Sequence, residues 1–244
     1  MNSFAYTRFE LLRTFRNVRF FVFSLGFPLV LYYLIAAPNR NEHDLAGSGL
    51  SAPLYFMVGL AAFGAMAATL SSGARISSER AIGWNRQLRL TPLPVRSYFR
   101  AKIVTAYATA LTTIVLLDVA GTTLGVRLSA DRWLSMTVLM LVALIPFAGL
   151  GILAGHLLTP DTVGPAMGGA TALFGFLGGT WYPIGAGALR DIAQLLPSYW
   201  LVQASHVALG GSGWPPKGWI VVAVWGVAAA VLAGWAYRRD TARV

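Results

Sequence analysis

The sequence predicts an all-α integral membrane protein with six transmembrane helices. Three observations predict it. Of the 244 residues, 56% are hydrophobic and only 11% charged, where an ordinary soluble domain carries about 25% charged residues. Apolar runs of the length a bilayer crossing needs, roughly 20 residues, recur near 20–37, 53–74, 99–126, 134–158, 163–183 and 218–237. The net charge of +10 is placed unevenly: Arg8, Arg13, Arg16 and Arg19 precede the first run, seven cations from Arg75 to Lys102 separate the second from the third, and Arg238, Arg239 and Arg243 follow the last. By the positive-inside rule, this puts both termini and the 75–102 stretch in the cytoplasm of a multi-pass plasma-membrane protein. The basic excess therefore reads as topology, not as nucleic-acid binding. A mean hydropathy of +0.62 leaves no room for a soluble catalytic domain.

Residues 3–18 precede any span. On a helical wheel Phe4, Phe9, Leu11, Leu12, Phe15 and Val18 form one side, and Glu10, Arg13, Thr14 and Asn17 the other. That pattern predicts an elbow helix lying in the cytoplasmic interface. The first apolar run, about 18 residues, exceeds the roughly 7–15 of a signal-peptide core, so it reads as a retained first span. The polar loop "APNRNEHDLAGSG" (37–49) leads outside, and "GVRLSADRW" (125–133) forms the second external loop. Between them lies "SSERAIGWNRQLRLTPLP" (77–94). Ser77 or Ser78 is placed to cap a helix with Glu79 in its first turn. Ile82, Trp84 and Leu88 supply apolar contacts, Gly83 leaves room for another backbone, and Pro92 and Pro94 end the segment. The expectation is a short surface helix over 77–91, tied to the second and third spans and shaped to take force from a soluble partner.

The segment 185–211 contains Gln194, Pro197, Ser198, Gln203, Ser205 and His206. As a seventh span it would place Arg238, Arg239 and Arg243 outside, against the charge bias. It is therefore expected as an external re-entrant region, broken backbone sheltered by protein. Three small-xxx-small pairs, Gly151 and Gly155, Gly164 and Gly168, Gly175 and Gly179, predict helix-packing faces.

At residues 77–94 the chain resembles the cytosolic coupling segment of ABC-2-type permeases, the membrane subunits of ATP-driven exporters. Their pattern is roughly Glu-Arg-Glu-x-Gly…Leu…Thr-Pro-Leu. Glu79-Arg80, Gly83, Leu88 and Thr91-Pro92-Leu93 match it, while Ala81 and Trp84 depart from it. "GWNRQLRLTPL" is similar to the drug and antibiotic exporter branch of the daunorubicin-exporter kind. The resemblance implies a bacterial permease that exports an amphipathic drug, antibiotic or natural product, with a lipid or lipid-linked cargo as the alternative. It implies two partner ATPase subunits, a homo- or heteromeric second permease subunit, and ATPase coupling through Glu79, Arg80, Gly83, Trp84, Arg86, Leu88, Thr91 and Pro92. ATP and Mg would be bound by the partner: "GSGWPPKG" (211–218) lacks the Gly-Lys-Ser/Thr of a P-loop, so this chain is expected to be no enzyme and to hold no cofactor.

Asp118 is the one carboxylate well inside a run. It is either a contact in the translocation path or a structural group paired with Thr112, Thr113 or Thr122. Trp181 and Tyr199 are further path candidates among the outer aromatics. No His-Glu-x-x-His occurs and there is no Cys, so no metal site is expected. Intramembrane aspartyl or serine proteolysis lacks its second carboxylate or its base. A secondary transporter would want more than one intramembrane ionisable group. A non-transporting immunity or sensory membrane protein is the remaining alternative of another class.

Overall fold

The computed structural model describes residues 3–17, 25–84, 87, 90, 93–209 and 213–241, and among these it is helical with no strands. α1 (Ser3–Phe15) lies at one end of the bundle. α2 (Phe27–Ala36) and the long α3 (Ala52–Leu70) follow, and α4 (Ser72–Ala81) continues α3 past a turn at Ser71. α5 (Val95–Thr123), α6 (Ala130–Ala143), α7 (Ile145–Leu157) and α8 (Pro160–Gly178) form the middle. The short α9 (Ala188–Ala193) and α10 (Pro197–Gln203) precede α11 (Pro216–Thr241).

Local chemistry explains the ends. Pro146 cannot donate to the helix before it, and α6 passes to α7 through a turn at Leu144. α8 starts on a reciprocal cap between Thr159 and Thr162, with Pro160 in its first turn, and stops at Gly179, whose φ of 78° suits a residue without Cβ. α3 is apolar around its whole circumference and almost wholly buried, as a helix without a polar face must be. It packs on α2, α5, α7 and α8, while α11 lies along α7. α11 and α5 turn Ile220, Val224, Val227, Val231, Val115 and Val119 outward, an apolar exterior that only lipid solvates well.

Among the described residues, four helices are long and apolar enough to cross a membrane: Ala52–Ala81, Val95–Thr123, Ala130–Leu157 and Pro216–Asp240. This differs from the six expected. Of the run at 20–37 the described part is the ten-residue α2. The run at 163–183 becomes α8, which has 19 residues but dilutes its apolar side chains with glycine, Thr and two prolines. The expected helix over 77–91 is also revised. α4 ends at Ala81, and Gly83, at φ 70°, turns the chain out of the helix. Neither serine caps: Ser78 Oγ donates back to Ala74 O, and Ser77 Oγ donates to Leu158 O across the bundle. The 185–211 stretch folds as α9, α10 and a 3-10 turn (Ala204–Leu209), with Ser198 to Val202 buried against α8 and α6.

Candidate coupling site

A buried polar cluster forms where α1, α4 and α5 meet. α1 presents Tyr6, Glu10 and Thr14, spaced i, i+4, i+8, to the protein, and all three are buried. Phe4, Phe9, Leu12 and Phe15 face outward. The helix is thus inverted relative to a soluble one, with its polar stripe inside. The reason is Lys102: its Nζ lies 3.0 Å from Glu10 Oε2 and 2.7 Å from Glu79 Oε1, with every partner at most 2% exposed. Arg13 reaches Glu79 Oε1 at 3.1 Å from the half-exposed rim, and Arg75 donates to Thr14 Oγ1. Lys102 also sits over the Tyr98 ring, 5.4 Å from its centroid. Burial pushes the Tyr6 hydroxyl well above the usual phenol range, and the carboxylates of Glu10 and Glu79 add to that, so it remains a neutral donor.

Arg80, the next residue, faces the other way. Its guanidinium pairs with Asp240 on α11 at 2.8 Å and donates to the α7 carbonyl of Gly155 at 3.0 Å. His156 Nδ1 lies 3.1 Å from the other Asp240 oxygen. Phe99, His156 and Tyr237 stack around this second cluster. Successive residues project about 100° apart around a helix, so two adjacent side chains bind opposite halves of the bundle: Glu79 holds α1 and α5, Arg80 holds α7 and α11.

Glu79 and Arg80, expected to meet the partner, both form ion pairs within the chain. Gly83 does have open space beside it, and Trp84 keeps its indole Nε1 out of solvent. Arg86, Leu88, Thr91 and Pro92 lie outside the described residues. The large apolar groups exposed here, among the described residues, are Ile82 and Leu90, at 70% and 86%. Glu10, Lys102, His156 and Asp240 escaped the sequence reading. The one available signal was the polar i, i+4, i+8 stripe on α1.

The remaining candidates sit elsewhere. Asp118 is half-buried on α5, its Oδ1 without a hydrogen bond among the described residues. Thr112, Thr113 and Thr122 spend their hydroxyls on carbonyls of their own helix, so they do not pair with it. Tyr199 is buried on α10, and Trp181 stacks edge-on against Phe63 at 5.4 Å. The glycine pairs divide. A Cβ at Gly151 would lie 2.7 Å from Thr69 O, and one at Gly155 2.7 Å from Gly73 O, so both permit backbone contact between α7 and the α3–α4 helix. Gly175 meets the Phe63 ring and Gly179 caps α8, whereas Gly164 and Gly168 face open space.

Residues 2–209 match the family described as ABC-2 type transporter. The chain is also 27% identical over 195 residues, 78% of each sequence, to a Bacillus subtilis (strain 168) protein named "Putative transport permease YvfS".

Proposed function

The chain belongs to the ABC-2 type transporter family, and on that premise we propose that it is an exporter permease whose ATPase docks on the segment 82–94. As a multi-pass membrane permease of an ABC transporter it implies a separate ATPase partner. The observation that carries the docking proposal is the back-to-back pair Glu79 and Arg80. A push on the exposed Ile82 and Leu90 reaches all four of α1, α5, α7 and α11 through two consecutive residues. In this reading Glu79 and Arg80 relay the movement and do not touch the motor. α2 and α8 make the fifth and sixth crossings, and the charged end faces the cytoplasm. A second permease subunit packs on α8, where Gly164 and Gly168 leave room for a close helix.

The cargo is an amphipathic drug, antibiotic or natural product. Supporting this is a cavity of about 320 Å³ at the opposite end of the bundle, lined by Tyr55, Ile184 and Tyr199 on one hand and Arg190, Gln203 and His206 on the other. Burial depresses the His206 pKa, so its ring is a neutral polar contact. The lining is mostly polar with an apolar side at Tyr55, Ile184 and Tyr199, and a site of mixed character suits an amphipathic molecule. Asp118, Trp181 and Tyr199 are proposed to lie along the path to it.

Co-purification and efflux separate docking from relay. Ile82→Arg with Leu90→Arg should lower recovery of the ATPase at least fivefold at unchanged permease stability. Arg80→Gln should retain the ATPase and lose efflux. Full ATPase recovery and full efflux in the first variant would sink the docking assignment.

A further inference from the structure

A groove of about 470 Å³ runs between α5, α7 and α11, lined by Ile103, Val104, Tyr107, Ile152, Ala230 and Ala233 among others. Its floor is shallow because small residues let the helices touch. A Cβ at Gly149 would lie 2.8 Å from Ala229 Cβ, and one at Gly226 3.2 Å from Ile145 Cγ2. Gly234 differs, since a Cβ there meets nothing within 4 Å, so it leaves the groove open. The lining runs over 99–107, 145–152 and 226–234, roughly 10–12 Å at 1.5 Å per residue, enough for half an acyl chain. Ile103, Val104 and Ile145 on its rim are 40%, 39% and 49% exposed, so the groove opens sideways, toward the membrane.

At the charged end the groove is closed. Phe99 meets Tyr237 edge to face at 4.9 Å, with His156 beside both. A chain in the groove must therefore bring its polar head outward over the start of α5. There Arg96 and Arg100, both exposed, occupy the face that carries Ile103, Val104 and Tyr107 one to two turns further on. Asp240, at that end of α11, is already committed to Arg80 and His156.

We infer that the groove between α5, α7 and α11 binds an acyl chain of an anionic phospholipid, with Arg96 and Arg100 holding the headgroup phosphate. A nearly wholly apolar trough with paired guanidinium groups at one end complements that molecule, since guanidinium matches phosphate geometry. A second copy seated here would bring its own arginines to the same rim. The inference needs only that the chain is a membrane protein and is independent of the docking assignment.

The test is native mass spectrometry of the full chain, stripped of lipid in detergent and given equimolar dioleoyl phosphatidylglycerol and dioleoyl phosphatidylcholine. The wild type should carry the anionic lipid at least fivefold over the zwitterionic one. Arg96→Gln with Arg100→Gln should bring that ratio below twofold while total bound lipid holds. Gly234→Phe should fill the trough and lower both adducts at least fivefold, with Gly234→Leu as the smaller plug should the first variant not fold. Equal binding of the two lipids by the wild type overturns the inference. So does undiminished lipid on a folded Gly234 variant, and so does a plug that changes the oligomeric mass and leaves lipid binding alone.

Discussion

The two ends of the bundle are held by different physics. At the charged end, α1, α4 and α5 meet through Glu10, Glu79 and Lys102, with 2.7 and 3.0 Å contacts out of water, and α7 and α11 meet through Arg80, His156 and Asp240. At the aromatic end, shape does the work. Trp200, Trp214 and Trp219 follow one another with ring centroids 6.5 and 5.1 Å apart. Gly218 lies flat against Trp200 and Gly178 against Ser198, and Tyr55 donates to Gly179 O. Ion pairs hold only when every partner is present, because a lone buried charge is costly. Close-packed rings instead tolerate the loss of one contact but not the intrusion of an atom.

That contrast breaks most readily at Lys102. Lys102→Met leaves Glu10 and Glu79, each 1% exposed, facing one another without their shared cation, and should cost about 3–5 kcal/mol. Thermal unfolding of the purified protein in detergent reads this directly. A loss below about 1 kcal/mol would mean the cluster does not hold the end together. Gly218→Ala probes the other end. Its new Cβ would lie 2.6 Å from a Trp200 ring carbon, and overpacking of that kind costs about 1–3 kcal/mol. Trp200→Leu in the same chain should recover part of the loss, and absence of any recovery would deny that shape governs there. Arg13→Ala should have the smallest effect. Its side chain is 51% exposed, and exposed ion pairs contribute about 0–1 kcal/mol. A larger drop in the melting measurement would move Arg13 from the rim into the cluster proper.

Chemistry that acts within a few residues was readable in the sequence. The apolar runs mark α3, α5, α6–α7 and α11 to within a few residues at most ends, because burying backbone in lipid demands a long helix. The resemblance at Glu79-Arg80 picked out the residues on which the charged end turns, whereas the helix was expected to run on through Gly83 to residue 91. The roles of Glu79 and Arg80 were not readable. Glu79 was expected to face a partner because the resemblance to a coupling segment implies it. Its cation comes from Lys102, 23 residues on, and its neighbour Glu10 from 92 residues before Lys102. Gly73, which meets Gly151 and Gly155 backbone to backbone, belongs to no Gly-xxx-Gly pair of its own. Glycine spacing alone also could not separate Gly151 and Gly155, in contact, from Gly164 and Gly168, in the open. The sequence by itself determined that the chain is a helical membrane protein with a charged junction after its long second run. Only the tertiary structure decided which charges neutralise one another and which face of each helix is covered. Helical period is a property of one segment, but neutralising a buried charge requires a partner that packing brings from far along the chain.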